Sequence, residues 1–267
     1  MKKVCGNKKV APKKLDYNKK SHSSKNQWWI NFWYVVGLTA WVFLVVVGIQ
    51  FLVGILVSLI LPKDVLTSPL MNSIFSVITY ILALLILIFL TPKIVQLIKK
   101  QDKMVIISRE RIGLRGLPTW TDIGLSPIGY VTSIIIAAGI TWIFTLLPWF
   151  DANETQNLGY SHYMFGLERG LAFITLVVIA PIIEEIIFRG WLYGKLRIVI
   201  PKWLAILITS LLFGLIHMQW NVGISVFAMS IVACTLREIT GTIYSGMLVH
   251  MINNGIAFCL VYIVGIS

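Results

Sequence analysis

Long apolar runs, separated by short polar and basic segments, dominate the chain. Six stretches carry almost no charged residue, and most of them exceed the roughly 20 apolar residues that a helix needs to cross a bilayer. The pattern predicts an all-α transmembrane helix bundle of about seven to eight spans. Gln219-Trp220-Asn221 is the predicted turn that divides the stretch 203–236. The spans are expected near 36–60, 70–91, 128–149, 170–197, 203–219, 222–236 and 241–265.

Composition excludes a water-soluble enzyme. The 267 residues are 57% hydrophobic and 13% charged, whereas soluble domains average about 45–50% apolar and about 25% charged residues. The three cysteines are scattered along the chain and suggest no disulfide framework. Prolines are expected at the ends of the spans, because proline interrupts helical hydrogen bonding. These prolines are Pro62, Pro69, Pro92, Pro127, Pro148 and Pro201.

Basic residues are concentrated on one predicted side of the membrane. Residues 1–27 contain nine lysines and one acid, and we expect a disordered polybasic tail attracted to anionic lipid. If the spans alternate from a cytoplasmic tail, 21 of the 23 basic residues lie on the cytoplasmic side, as the positive-inside rule requires. A cytoplasmic N-terminus is therefore predicted. Membrane lipid, and no nucleic acid, is the expected partner of the tail.

A few polar residues interrupt the predicted spans of the C-terminal half. Ionisable groups inside a membrane are costly, so each of them is a functional-site hypothesis. Glu184, His217 and His250 each lie about 20 Å from the inner end of their predicted helices at 1.5 Å per residue. Three groups on three helices thus come to a similar depth, which favours one shared site.

The spacing of these residues also predicts which of them face each other. Glu185 and Arg189 are four residues apart on one helix face, so they are expected to form a supporting, structural ion pair. Glu184 points roughly 100° away and stays available for chemistry. His250 and Asn254 share a face by the same spacing. Pro181 lies one turn before Glu184 and is expected to disturb the helix there.

Three motifs occur at these positions: EExxxR at Glu184, Glu185 and Arg189, FxxxH at Phe213 and His217, and HxxxN at His250 and Asn254. They resemble the motifs of the CAAX prenyl protease and bacteriocin-processing family of intramembrane proteases. Each motif alone is common, but their order and spacing in one polytopic chain are specific. The resemblance implies an intramembrane endopeptidase core over 165–267. The tail 1–27 and a region of membrane helices and a cytoplasmic loop over 28–164 precede this core.

The chemistry of these residues suits peptide hydrolysis, which needs an activated water, a base and donors for the developing oxyanion. A carboxylate among apolar helices is a stronger base than an exposed one, so Glu184 is the predicted general base. His217 is expected to hold the water, with His250 and Asn254 as oxyanion donors. In the alternative, Glu184, His217 and His250 bind zinc. Because the chain lacks the HExxH motif, the metal and metal-free mechanisms both stay open.

The expected substrate is a membrane-associated, lipidated or leader-bearing protein or peptide, and the expected location is the membrane of a bacterial cell. A non-proteolytic bacteriocin immunity or signalling scaffold of the same fold is the alternative function. A transporter is disfavoured, because the chain shows no internal repeat and its polar groups lie at one level rather than forming a path across the bilayer.

Overall fold

The computed structural model describes residues 25–66, 68–100, 107–154, 160 and 164–265. These residues form helices and connecting turns with no β-strand among them, which confirms the all-α class. Residues 1–24 of the predicted tail lie outside the described part of the chain. The helices are α1 (Lys25–Ile60), α2 (Lys63–Leu66), α3 (Pro69–Ile98), α4 (Arg109–Ile112), α5 (Trp120–Phe144), α6 (Gly166–Val199), α7 (Lys202–Leu215), α8 (Trp220–Thr240) and α9 (Tyr244–Val264).

Six of the described helices are long and apolar enough to cross a membrane, namely α1, α3, α5, α6, α8 and α9. Helix α7 is equally apolar but has only 14 residues. The chain is thus a multi-pass membrane protein, and each predicted span corresponds to one of these seven helices. The predicted turn after α7 is confirmed, since Gln219 is extended and caps the start of α8. However, α7 ends at Leu215, so His217 lies in this turn and not inside a span.

Two of the prolines expected at helix ends lie inside helices, and that prediction was wrong for them. Pro127 falls within α5, and Pro92 falls within the continuous α3. A π-helical turn at Ile86–Leu90 precedes Pro92, and the Thr91 hydroxyl donates to the Ile86 carbonyl at 2.8 Å. Hydroxyl side chains and local π turns satisfy the backbone groups that a proline leaves unpaired, so a membrane helix can continue through it.

Helix α6 is, with α8, one of the two most buried long helices among the described residues. Half of its apolar window is buried, compared with 11% for α1 and for α3, whose outer faces present large apolar side chains. Helix α6 is also irregular, because π-helical segments at Ile174–Ile179 and Ile186–Leu192 flank a short α-helical part at Ala180–Glu185. Pro181 is the second residue of this part, where a disturbance was predicted. Such π segments are frequent at functional sites.

Gly190 of α6 allows the loop that contains α4 to pack against the helix. A Cβ atom at this position would lie 2.5 Å from the Cγ2 atom of Ile112 and 3.3 Å from its carbonyl oxygen. We therefore expect Gly190→Ala to lower the free energy of unfolding by about 1–3 kcal/mol through overpacking. Gly139→Ala is the control, because a Cβ there meets no atom within 4 Å. Unfolding in mixed micelles measures both variants, and equal stability would contradict the close packing.

Candidate active site

Glu184 lies at the centre of the candidate site and is buried between three helices. It is near the end of the α-helical part of α6, and its carboxylate oxygens have different surroundings. Oε1 accepts a hydrogen bond of 2.6 Å from the Tyr80 hydroxyl of α3. Oε2 lies 3.7 Å from Nε2 of His250 on α9. This distance is too long for a direct hydrogen bond, so Oε2 is the oxygen that is available to a reacting molecule.

Glu185 forms the predicted ion pair and also contacts the site. Its Oε1 lies 3.0 Å from Nη1 of Arg189, and both side chains are fully buried. The same oxygen lies 3.2 Å from Nδ1 of His250. Gly246 of α9 makes room for this carboxylate, since a Cβ there would lie 3.1 Å from Glu185 Oε2. The pair therefore orients a predicted catalytic histidine in addition to joining two turns of α6.

The Phe213 ring connects the three motifs. The Arg189 guanidinium lies over this ring at 4.2 Å from its centroid. The imidazoles of His217 and His250 approach the ring in edge geometry, with centroids at 5.2 and 5.7 Å. Phe213 itself is fully buried. The aromatic residue of FxxxH thus sets the spacing of the two histidines and covers the buried cation.

Both histidines use Nδ1 for a contact with an acceptor, which leaves Nε2 of each ring unengaged within the described part of the chain. Nδ1 of His217 lies 2.8 Å from the Phe213 carbonyl oxygen, and Nδ1 of His250 faces the Glu185 carboxylate. Because both partners are acceptors, Nδ1 carries the proton in each ring, and Nε2 of a neutral ring is an acceptor. Burial lowers the pKa of His217, while the nearby Glu184 charge opposes this shift. A neutral His217 can therefore accept a hydrogen bond from a water molecule.

Asn254 contacts α6 at some distance from Glu184. Its Nδ2 donates to the Leu176 carbonyl at 2.9 Å, and its Oδ1 accepts from Nδ2 of Asn253 at 3.2 Å. Leu176 lies within the first π-helical segment of α6. In this arrangement Asn254 links α9 to α6 by a hydrogen bond. Only the second N–H of its amide is available as an oxyanion donor.

The predicted zinc ligands do not form a three-ligand cluster here. Among the described residues, no three His, Cys, Asp or Glu side chains are arranged so that they could hold a metal ion, whereas catalytic zinc sites use three protein ligands. Glu184, His217 and His250 leave one carboxylate oxygen and two Nε2 atoms unengaged. The zinc site stays a prediction that metal analysis of the purified protein would test.

Tyr80 belongs to the site, although the motifs do not include it. The sequence contained one signal, namely a phenol hydroxyl near the middle of a predicted span. That signal does not identify a partner, because tyrosine in membrane helices also serves as an interfacial anchor. Only the packing of α3 against the α-helical part of α6 brings this hydroxyl to Glu184.

We expect Tyr80→Phe to slow turnover about 10- to 100-fold, the usual range for losing a hydrogen bond to a charged group. The variant should fold normally and keep its KM, because the lost bond orients the base and not the substrate. Tyr130→Phe on α5 removes the same hydroxyl away from the site and is the control. A Tyr80→Phe protein with wild-type kcat would remove Tyr80 from the site.

Comparison with known proteins agrees with the motif assignment. Residues 167–256 match the family model described as type II CAAX prenyl endopeptidase Rce1-like, which confirms the resemblance for this part of the chain. The chain is also similar to the UPF0177 protein YbdI of Lactococcus lactis subsp. lactis (strain IL1403). The two are 33% identical over 101 residues, which make up 37% of this chain and 52% of that protein, so the match spans about half of the relative's length. No solved structure matches the chain significantly.

Proposed function

We propose that the chain is an intramembrane endopeptidase, on the premise that residues 167–256 are similar to type II CAAX prenyl endopeptidases. Its substrate class is a membrane-associated, lipidated or leader-bearing protein or peptide. One observation carries the proposal: the buried Glu184 carboxylate is oriented by Tyr80 through one oxygen and faces His250 with the other. A polar arrangement this specific has no evident structural use inside an apolar bundle, where unpaired ionisable groups are costly.

The proposed reaction starts with a water molecule between Glu184 Oε2 and His217 Nε2. Glu184 takes a proton from this water while the oxygen attacks the scissile carbonyl carbon, which forms a tetrahedral oxyanion. His250 in its protonated form donates Nε2–H to the oxyanion, and Glu185 holds its Nδ1–H. The second N–H of Asn254 is the further proposed donor. Collapse of the intermediate breaks the C–N bond, and the leaving amine receives the proton from Glu184.

The test compares membranes that contain the wild-type chain with membranes that contain Glu184→Gln at equal abundance. Mass spectrometry of peptide termini should reveal cleavage products that occur only with the wild type. The cut sequences would also identify the substrate. The test requires a host whose phenotype depends on the protein. If this host yields no such termini and the phenotype persists with Glu184→Gln, the non-proteolytic immunity or signalling function is favoured over proteolysis.

A further inference from the structure

A cleft between α1, α3, α4 and α6 lies away from the candidate active site. Its volume is about 210 Å³, and its lining includes Arg111, Trp191 and Lys195. Its α6 lining begins at Gly190, six residues after Glu184, and continues past Lys195, which corresponds to about 9 Å and about 16 Å from Glu184 along a helix. The cleft is therefore separate from the catalytic carboxylate and lies at the basic end of the bundle, which the charge distribution predicts to be cytoplasmic.

The charges at this cleft are positive. Arg111 and Lys195 both line it, and no acidic side chain is among its described lining residues. Lys195 is only partly exposed, so solvent screens its charge less than it would on an open surface. An anion in the cleft would neutralise both cations.

An indole group adds an unsatisfied donor. The Trp191 side chain is 1% exposed, and its Nε1–H has no hydrogen-bond partner within the described parts of the chain. Its ring lies 4.7 Å from the Lys195 ammonium, which orients that cation at the cleft. A buried N–H without a partner is costly, so an acceptor oxygen bound beside it would be stabilised.

The edge of the same cleft is apolar and exposed. Val95 of α3 and Ile198 of α6 line it, and they are 40% and 64% exposed. Both belong to helices that are able to cross the membrane. A ligand with an anionic head and apolar chains would contact both the basic lining and the apolar edge. A free anion would contact the basic lining alone.

We propose that this cleft binds the phosphate headgroup of an anionic phospholipid. Arg111 and Lys195 pair with the phosphate oxygens, while the acyl chains lie along Val95 and Ile198. Basic pockets between membrane helices at the cytoplasmic side are suited to such headgroups. The site is independent of peptide hydrolysis, so it would exist equally in a non-proteolytic scaffold of this fold.

Native mass spectrometry of the purified full chain in detergent tests the site. We titrate with phosphatidylglycerol or with phosphatidylcholine of the same acyl chains, and we expect tighter retention of phosphatidylglycerol. Lys195→Gln and Arg111→Gln should each weaken phosphatidylglycerol binding about fivefold, the value of one charge near an anionic lipid. Lys93→Gln on α3 removes an equal charge outside the cleft lining and should leave binding unchanged.

Three results would overturn the proposal. Equal retention of both lipids by the wild type would show that the headgroup charge is not recognised. A similar loss in Lys93→Gln and Lys195→Gln would reduce the effect to general surface charge. Inorganic phosphate that displaces phosphatidylglycerol at comparable concentration would assign the site to a free anion and not to a lipid.

Discussion

Replacing Glu184 with glutamine is expected to abolish peptide hydrolysis while the protein still folds and inserts. Glutamine keeps one oxygen that accepts the Tyr80 hydroxyl bond, and it has nearly the same volume. It cannot take a proton from water, so the general-base contribution of about 10²- to 10⁴-fold in rate is lost. The measurement is the rate of product formation from the identified substrate, at equal amounts of folded protein in the membrane.

Glu168→Gln is the matched control for this variant. Glu168 lies on the first turn of the same helix α6 and is exposed, so its loss should leave the rate unchanged. His217→Ala should be damaging to a similar extent, because it removes the proposed second partner of the water. A Glu184→Gln protein that retains the wild-type rate would assign the base to another residue.

Removing Arg189 is expected to destabilise the bundle severely. Arg189→Met leaves the fully buried Glu185 carboxylate with His250 Nδ1 as its remaining polar partner. Loss of one partner from a buried ion pair costs about 3–5 kcal/mol, because the other charge is then uncompensated. Methionine keeps an apolar side chain over the Phe213 ring, so the effect reports on the charge more than on lost volume.

The double variant Glu185→Gln with Arg189→Met separates charge from packing. Because it removes both charges of the pair, it should recover most of the stability lost in Arg189→Met. Unfolding in mixed micelles, followed by loss of helical signal, measures all three proteins. If the double variant is no more stable than Arg189→Met, then packing of the guanidinium and not the buried charge accounts for the cost.

The structure confirms those sequence predictions that rest on local periodicity and local spacing. Apolar runs long enough for a bilayer predicted the helices, since an uncharged segment of this length has few other stable states in lipid. The distance of four residues between Glu185 and Arg189 placed them on one helix face, and they do pair. Motif order likewise identified the part of the chain that matches the protease family model.

Several predictions that depended on where a helix ends were wrong. Pro92 and Pro127 lie inside helices. A π turn precedes Pro92, the Ser126 hydroxyl beside Pro127 donates to the Asp122 carbonyl, and such features satisfy the backbone near a proline. His217 lies in a turn because α7 ends at Leu215. A hydrophobic pattern determines that a helix exists, but the last turn depends on contacts with the next segment.

The sequence by itself determined the fold class, the membrane location and the residues of the three motifs. Only the tertiary structure placed Tyr80 on Glu184, His250 on Glu185, and Asn254 on the Leu176 carbonyl. It also formed the basic cleft that contains Arg111 and Lys195. The physical reason is range: helical periodicity relates residues three or four positions apart, whereas these contacts join residues 65 to 104 positions apart. Such contacts arise from the packing of whole helices, on which the spacing within one helix carries no information.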